Sequence, residues 1–204
     1  MATILYISSS LRSTGSTSRQ LAEEFLSKWK AARPDDSIVE RNLAADPVPH
    51  LTGQMMGSFF TPADQRSAEQ VQTVRLSDSL VAELLSADVV VIGAPMYNFS
   101  ISSTLKAWID HVTRVGVTFG YTDTGPVGLL KGKKVYLFTA RGGVYSEGPA
   151  QAMDFQETYL RATLGFIGLT DVTLIRAEGL ALGESAVDAA LNRSRQLIGQ
   201  LTTA

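Results

Sequence analysis

The side chains best suited to chemistry lie in three short stretches, each directly after an aliphatic run. The first, Ser8 to Ser18, crowds hydroxyls (Ser8, Ser9, Ser10, Ser13, Thr14, Ser16, Thr17, Ser18) just ahead of a helical pattern of Leu21, Phe25 and Trp29. A helix N-terminus presents unpaired N–H groups and the positive end of the macrodipole, and the surrounding hydroxyls add donors, so this loop can cradle a phosphate without a lysine. The alternative is that Ser16 or Ser18 simply caps the helix. No Gly-Lys-Ser/Thr follows and Gly15 stands alone, so neither a nucleotide P-loop nor a Gly-x-Gly-x-x-Gly dinucleotide turn is present.

The second stretch, Ala94-Pro95-Met96-Tyr97-Asn98-Phe99-Ser100-Ile101-Ser102, joins apolar, aromatic and amide side chains. A flat heteroaromatic ring needs that mixture: apolar walls, a stacking surface and a few edge hydrogen bonds. The same residues could instead tuck into the core. The third stretch, Thr139-Ala140-Arg141-Gly142-Gly143-Val144-Tyr145, has paired glycines that let backbone approach a ligand, or that make only a turn. None of the three supplies an evident acid, base or nucleophile. A bound redox cofactor explains that absence, because it brings its own chemistry and asks the protein for binding and orientation. Asp110 and His111 are adjacent on a helical pattern, where their side chains diverge, so both are assigned solvent or packing roles.

These stretches must be held by a scaffold. Thr3–Ser8, Val89–Gly93 and Lys134–Thr139 read as buried parallel strands, with 37–43 and 172–177 as further candidates. Between them lie helical stripes: Leu21, Ala22, Phe25, Leu26 and Trp29; Leu76, Leu80, Val81, Leu84 and Leu85; Leu105, Ile109 and Val112; and Val187, Ala190, Leu191, Ile198 and Leu201. Parallel neighbours need crossovers, and crossovers put helices over a sheet, so the expected fold is doubly wound α/β. With five strands in the order 2-1-3-4-5 and helices on both faces, the three loops meet at the switch point between strands 1 and 3. A phosphate cradle, an aromatic wall and a backbone-lined edge together match FMN. Residues 47–62 show no clean period and read as a loop or short irregular helix, either a lid or partner surface or ordinary packing.

Composition narrows the field. The 204 residues fit one domain, 1–204, without repeats or linkers. A net charge of -2 leaves no basic stripe for nucleic acid, and zero cysteines remove thiol catalysis, disulfides and thiolate metal sites. With two histidines, a transition-metal site is not expected. The apolar runs are too short for a bilayer and the N-terminus lacks a signal-peptide pattern, so a cytoplasmic protein with no membrane association is expected.

The chain resembles the FMN-dependent NADH-azoreductase family, relatives of the quinone reductases, along nearly its whole length. Ala94 to Ser102 is the most specific stretch, followed by Gly116 to Thr122, Gly125-Pro126, Thr139 to Gly143, Leu164 to Gly168 and Ala177-Glu178-Gly179. The resemblance implies bound FMN, NADH or NADPH as electron donor, and ping-pong two-electron reduction of quinones and azo compounds. It places the phosphate on Ser10, Ser16, Thr17 and Ser18, the ring on Pro95, Met96, Tyr97, Asn98 and Phe99, and a glycine turn on Ala140, Arg141, Gly142 and Gly143. It further implies a substrate pocket lined by Phe119, Tyr121 and Thr163 (the alternative for Phe119 and Tyr121 being a hairpin core), and a homodimer with FMN sites at the subunit interface. Two positions depart from the pattern: Ala140 stands where relatives often carry serine, and Thr163 where some carry an aromatic. The alternative function is a flavodoxin-like electron carrier, or an FMN-binding regulatory module.

Overall fold

The computed structural model describes residues 1–202. Strands β1 (Thr3–Ser8), β2 (Ser37–Asn42), β3 (Val89–Pro95), β6 (Lys134–Ala140) and β7 (Asp171–Ala177) form one sheet in the order β2-β1-β3-β6-β7, all neighbours parallel. That is the expected 2-1-3-4-5 topology, with one addition. Strands β4 (Phe119–Thr122) and β5 (Gly125–Gly128) pair antiparallel as a separate hairpin between the third and fourth sheet strands.

The central strands β1, β3 and β6 are buried on both faces, which is why they read as unbroken Val/Ile/Leu runs rather than as alternating ones. Edge strand β2 is exposed and carries Glu40, Arg41 and Asn42, charged and polar groups of the kind that discourage edge pairing. Along β6, Val135 and Leu137 enter one core with Leu80, Leu84, Trp108 and Leu164, while Tyr136 and Phe138 enter a second with Phe25, Trp29 and Ile198. Helices α1 (Thr17–Ala32) and α6 (Glu184–Thr202) therefore cover one face, and α3 (Ala68–Ser86), α4 (Ser103–Val112) and α5 (Phe155–Phe166) the other. Among the described residues, no helix is long and apolar enough to cross a membrane.

Two local expectations need correction. Leu76 and Leu85 do not face the core: they are exposed, and the buried stripe of α3 runs through Val74, Ser77, Leu80, Val81 and Leu84. Ser77 takes an inward position because its Oγ donates to the His111 carbonyl at 2.6 Å, so a polar residue substitutes for leucine there. Residues 47–62 contain a regular helix, α2 (Gly53–Phe60), capped by Thr52, whose Oγ1 accepts from Met55 N–H at 3.2 Å. Its two glycines lower helix propensity. Tertiary contacts of Phe59, edge-on to His111 with the Arg114 guanidinium 4.1 Å above its ring, compensate.

His111 is fully buried beneath α2, its Nε2 3.0 Å from the Pro49 carbonyl, while Asp110 pairs with Lys106 at the surface. Burial pushes the imidazole below its ordinary 6.5, outweighing the Pro49 contact and Asp110, with Arg114 adding to the depression. The unfolded chain therefore binds a proton more readily, and stability falls as pH drops below 6.5 towards the folded value. Urea midpoints are expected to decline between pH 7 and pH 5, less steeply in a His111→Gln variant.

Candidate functional site

At the carboxyl ends of β1, β3 and β6 lies a crevice of about 300 Å³. Its first wall is the hydroxyl-rich loop. Ser16 is the N-cap of α1, but its Oγ accepts from Arg19 N–H at 3.4 Å and lies 3.4 Å from Ser18 Oγ, both at the outer limit of useful hydrogen bonds. Capping does not remove Ser16 from the crevice: Ser10, Ser16 and Thr17 line it, and the first turn of α1 offers N–H groups that the helix cannot itself satisfy. Ser18 is buried behind them. Arg12 also lines the crevice, a basic residue that the sequence reading did not include.

The loop is held in shape by Arg19, in the first turn of α1. Its Nε donates to Ser8 Oγ at 3.1 Å, Nη2 to the Ser10 carbonyl at 3.1 Å and Nη1 to the Ser13 carbonyl at 3.3 Å. Ser9 N–H and Oγ both donate to the Gly93 carbonyl, at 3.0 and 2.8 Å, tying the loop to β3.

Pro95, Met96 and Tyr97 form the second wall. Tyr97 Oη accepts from Leu11 N–H at 3.1 Å, so the second loop is bolted to the first. Beyond it the chain makes a tight turn: Tyr97 and Ser100 exchange backbone hydrogen bonds at 2.9 and 3.0 Å, with Asn98 at φ +47° and Phe99 at φ +69°. Positive φ at both central residues defines a type I′ turn, which asparagine tolerates and phenylalanine adopts only under strain. Phe99 thus stores backbone strain of about 1–3 kcal/mol two residues beyond the wall residue Tyr97, though it lines neither the crevice nor the cavity beside it. Its ring is partly exposed and sits edge-on to Tyr145 at 6.2 Å.

Ala140, Arg141 and Gly142 make the third wall, and the sequence pattern missed a fourth, Leu180, Ala181 and Val187, from the loop after β7 and the start of α6. The signal available for it was Gly179, whose N–H donates to the Gly143 carbonyl at 3.0 Å. The Gly142 carbonyl accepts from Ala181 N–H at 2.9 Å, while the N–H groups of Gly142 and Gly143 meet no acceptor among the described residues. Gly143 itself lies against the Tyr145 ring, where a Cβ would come to 3.2 Å. Arg141 turns its guanidinium away into a buried cluster, so only its backbone is offered to the crevice.

Asn98 lies on an adjoining cavity of about 610 Å³ that shares Tyr97 with the crevice and runs to Ser102, Lys106 and Tyr159. Phe119 and Thr163 are brought together, but in a third cavity of about 310 Å³ beyond Tyr159, with Met56, Phe59 and Phe60 of α2. Tyr121 is 72% exposed and packs edge-on to Phe119 at 5.7 Å. Within one chain these three do not border the crevice.

A parallel sheet of this strand order, with a hydroxyl-rich helix N-terminus and an aromatic wall at its switch point, defines a flavodoxin-like protein. Residues 2–201 match the family described as having a flavodoxin-like fold. The chain belongs to that family, in the branch of the FMN-dependent NADH:quinone oxidoreductases and azoreductases. It is 63% identical over 204 residues to the FMN-dependent NADH:quinone oxidoreductase of Herminiimonas arsenicoxydans, covering 100% of both chains. The azoreductase of Bacillus anthracis str. Sterne superposes with a TM-score of 0.92 at 32% identity, over 99% of each chain. An FMN-dependent NADH-azoreductase of Bacillus anthracis str. Ames Ancestor, solved in complex with FMN, superposes with a TM-score of 0.86 at 26% identity, over 98% of this chain and 99% of that one.

Proposed function

We propose that this chain is an FMN-dependent oxidoreductase that takes electrons from NADH and passes them in pairs to quinones and azo compounds. The carrying observation is the convergence at one crevice of unpaired helix N–H groups and hydroxyls with an aromatic loop and a turn whose amides lack acceptors. That donor set fits FMN from its phosphate to its ring. FMN, once bound, supplies the two-electron redox step between nicotinamide and acceptor.

The chain's own residues bind and orient. Ser10, Ser16, Thr17 and the first turn of α1 hold the phosphate, with Ser18 behind them and Arg12 adding charge. Pro95, Met96, Tyr97 and the Asn98–Phe99 turn hold the ring. The N–H groups of Gly142 and Gly143 are preorganised to stabilise negative charge at the ring edge, a role for which fixed backbone dipoles are well suited. Ala140 brings no side-chain hydrogen bond.

One prediction separates the turn from the side chain at its centre. Asn98→Gly keeps the positive φ and removes the amide, so the fold survives with a melting temperature within about 2 °C of wild type. FMN retention is expected to weaken about tenfold, the usual scale for a lost hydrogen bond to a buried polar group. Equilibrium dialysis checks it.

The active species we propose is a cytoplasmic homodimer of single-domain subunits. Support comes from the position of Phe119 and Thr163, away from the crevice of their own chain, and from the exposure of Tyr121 and Phe60 beside them. A second copy brings this region over the partner's cofactor, where it shapes the substrate pocket. The native mass by light scattering is expected to be twice 21.9 kDa. A monomer would remove these residues from the site.

The test of function is steady-state kinetics with NADH and a soluble quinone or azo dye. Parallel double-reciprocal lines that vanish when FMN is stripped are expected; turnover indifferent to FMN would defeat the proposal.

A further inference from the structure

The loop that leaves β3 and the turn that leaves β6 are joined by a buried side chain that belongs to neither. Gln156, in the first turn of α5, is fully buried. Its Nε2 donates to the Ala94 carbonyl at 2.9 Å, one residue before Pro95, and its Oε1 accepts from Arg141 Nε at 2.9 Å. Both ends of one amide are thereby used, one on β3 just before the Pro95 wall and the other on the Arg141 side chain behind the third wall.

Arg141 is in turn immobilised. Its Nη1 contacts Asp154 and Glu178 carboxylate oxygens at 2.9 Å each, and Nη2 lies 3.7 Å from Glu157. Asp154 Oδ1 caps α5 by accepting from Gln156 N–H at 3.1 Å and Glu157 N–H at 2.9 Å, which fixes the backbone that carries Gln156. Glu178 Oε1 also accepts from Tyr145 and Ser146 N–H at 3.0 and 3.1 Å, closing the far side of the glycine turn. A planar guanidinium with several partners has one orientation, and an amide wedged between it and a carbonyl has one as well.

We infer that Gln156 is a positioning residue which, by bridging Ala94 and Arg141, reinforces the spacing that the Met96 N–H to Ala140 carbonyl bond (2.8 Å) gives the Pro95–Phe99 loop and the Arg141–Gly143 turn, and so the fit of the flavin ring. The inference rests on the crevice being the FMN site, as proposed above. Gln156 sits behind the ring walls and not behind the phosphate cradle, which is built on β1 and α1 and held by Arg19. Loss of the bridge therefore relaxes the ring end of the site and leaves the phosphate end intact.

That division is measurable with two flavins, FMN and riboflavin, which share the ring and differ in the phosphate. Binding to apoprotein would be titrated by flavin fluorescence for wild type, Gln156→Met and Gln156→Glu. Gln156→Met fills the same volume without polar atoms. Gln156→Glu keeps an acceptor for Arg141 Nε and removes the donor to Ala94, so it preserves the buried arginine should the first variant fail to fold. Both flavins are expected to bind about tenfold more weakly to either folded variant. The FMN-to-riboflavin affinity ratio is expected to stay at its wild-type value, and the visible band of bound flavin to shift with the altered ring environment. A change in stability alone moves neither the ratio nor the band. Unaltered affinities with a wild-type spectrum, or a loss confined to FMN, would overturn the inference while leaving the proposed function standing. Wild-type protein that binds neither flavin would overturn both.

Discussion

Gly128→Ala is expected to lower the melting temperature by about 6–12 °C, the counterpart of about 3 kcal/mol in a chain of this size. A Cβ on Gly128 would lie 2.1 Å from the Gly168 nitrogen and 2.4 Å from its Cα, so the obstacle is backbone and cannot rotate away. The approach is reciprocal: Gly168 has φ +102°, and a Cβ there would come within 2.9 Å of Leu130. This crossing seats the β4–β5 hairpin on the end of α5, where Leu130 N–H donates to the Ile167 carbonyl at 3.0 Å and Phe119 packs on Phe166 at 4.5 Å. An internal control sits on the opposite strand. A Cβ at Gly120 meets nothing closer than a Val127 methyl at 4.0 Å, so Gly120→Ala is expected to change stability by no more than about 0.5 kcal/mol. Calorimetry on the pair separates close packing from loss of a hairpin glycine as such. Because the hairpin carries Phe119 and Tyr121, the first variant should also lose quinone turnover beyond its loss of stability.

Arg141→Met is expected to cost about 3–5 kcal/mol near neutral pH, because removing one member of a buried ionic cluster strands the others. Here the stranded groups are Asp154, Glu157 and Glu178, the last two also near Arg176 and Arg161 or the Tyr145–Ser146 amides. The deficit should depend on pH. Burial pushes the Glu178 carboxyl up, but hydrogen bonds from Ser146, Tyr145 and Arg141 more than reverse this and hold it below its ordinary 4.5. A carboxylate depressed in the folded state contributes stability above its unfolded pKa and loses it as pH falls through the folded value. The variant lacks the arginine's share of that contribution. Its urea midpoint should therefore approach wild type as pH falls below 4.5, and a deficit constant from pH 7 to pH 3 would contradict the account.

Much of this arrangement is legible in the sequence, for reasons that can be named. Buried parallel strands have no solvent face, so β1, β3 and β6 stand out as short aliphatic runs whose ends the structure extends by at most a residue or two. The loops after them are conspicuous because hydroxyls, aromatics and glycines have no reason to cluster there for packing alone. The sequence order of the strands does not give their spatial order, yet the switch-point rule brings the three loops to one place.

What was not legible depends on partners distant in the chain. Arg141 enters the cofactor site only through the family resemblance, as part of its glycine turn. Its guanidinium is claimed instead by Asp154, Glu157 and Glu178, which no local pattern connects to it. Gln156 gives no signal at all, being one polar residue in an amphipathic helix. The positive φ of Phe99 contradicts its local preference and is imposed by the turn that Tyr97 and Ser100 close. Helix α2 is obscured by its own glycines, and Leu76 and Leu85 lie just outside the stripe in which Ser77 is buried.

The most direct test of the central claim is the visible spectrum of the FMN-loaded protein titrated with NADH in the absence of oxygen. The flavin bands are expected to bleach with one equivalent of NADH per FMN and to return when a quinone or azo dye is added. Flavin that stays bound and coloured in the presence of NADH would contradict the account, leaving a crevice that holds the cofactor without using it as an oxidoreductase does.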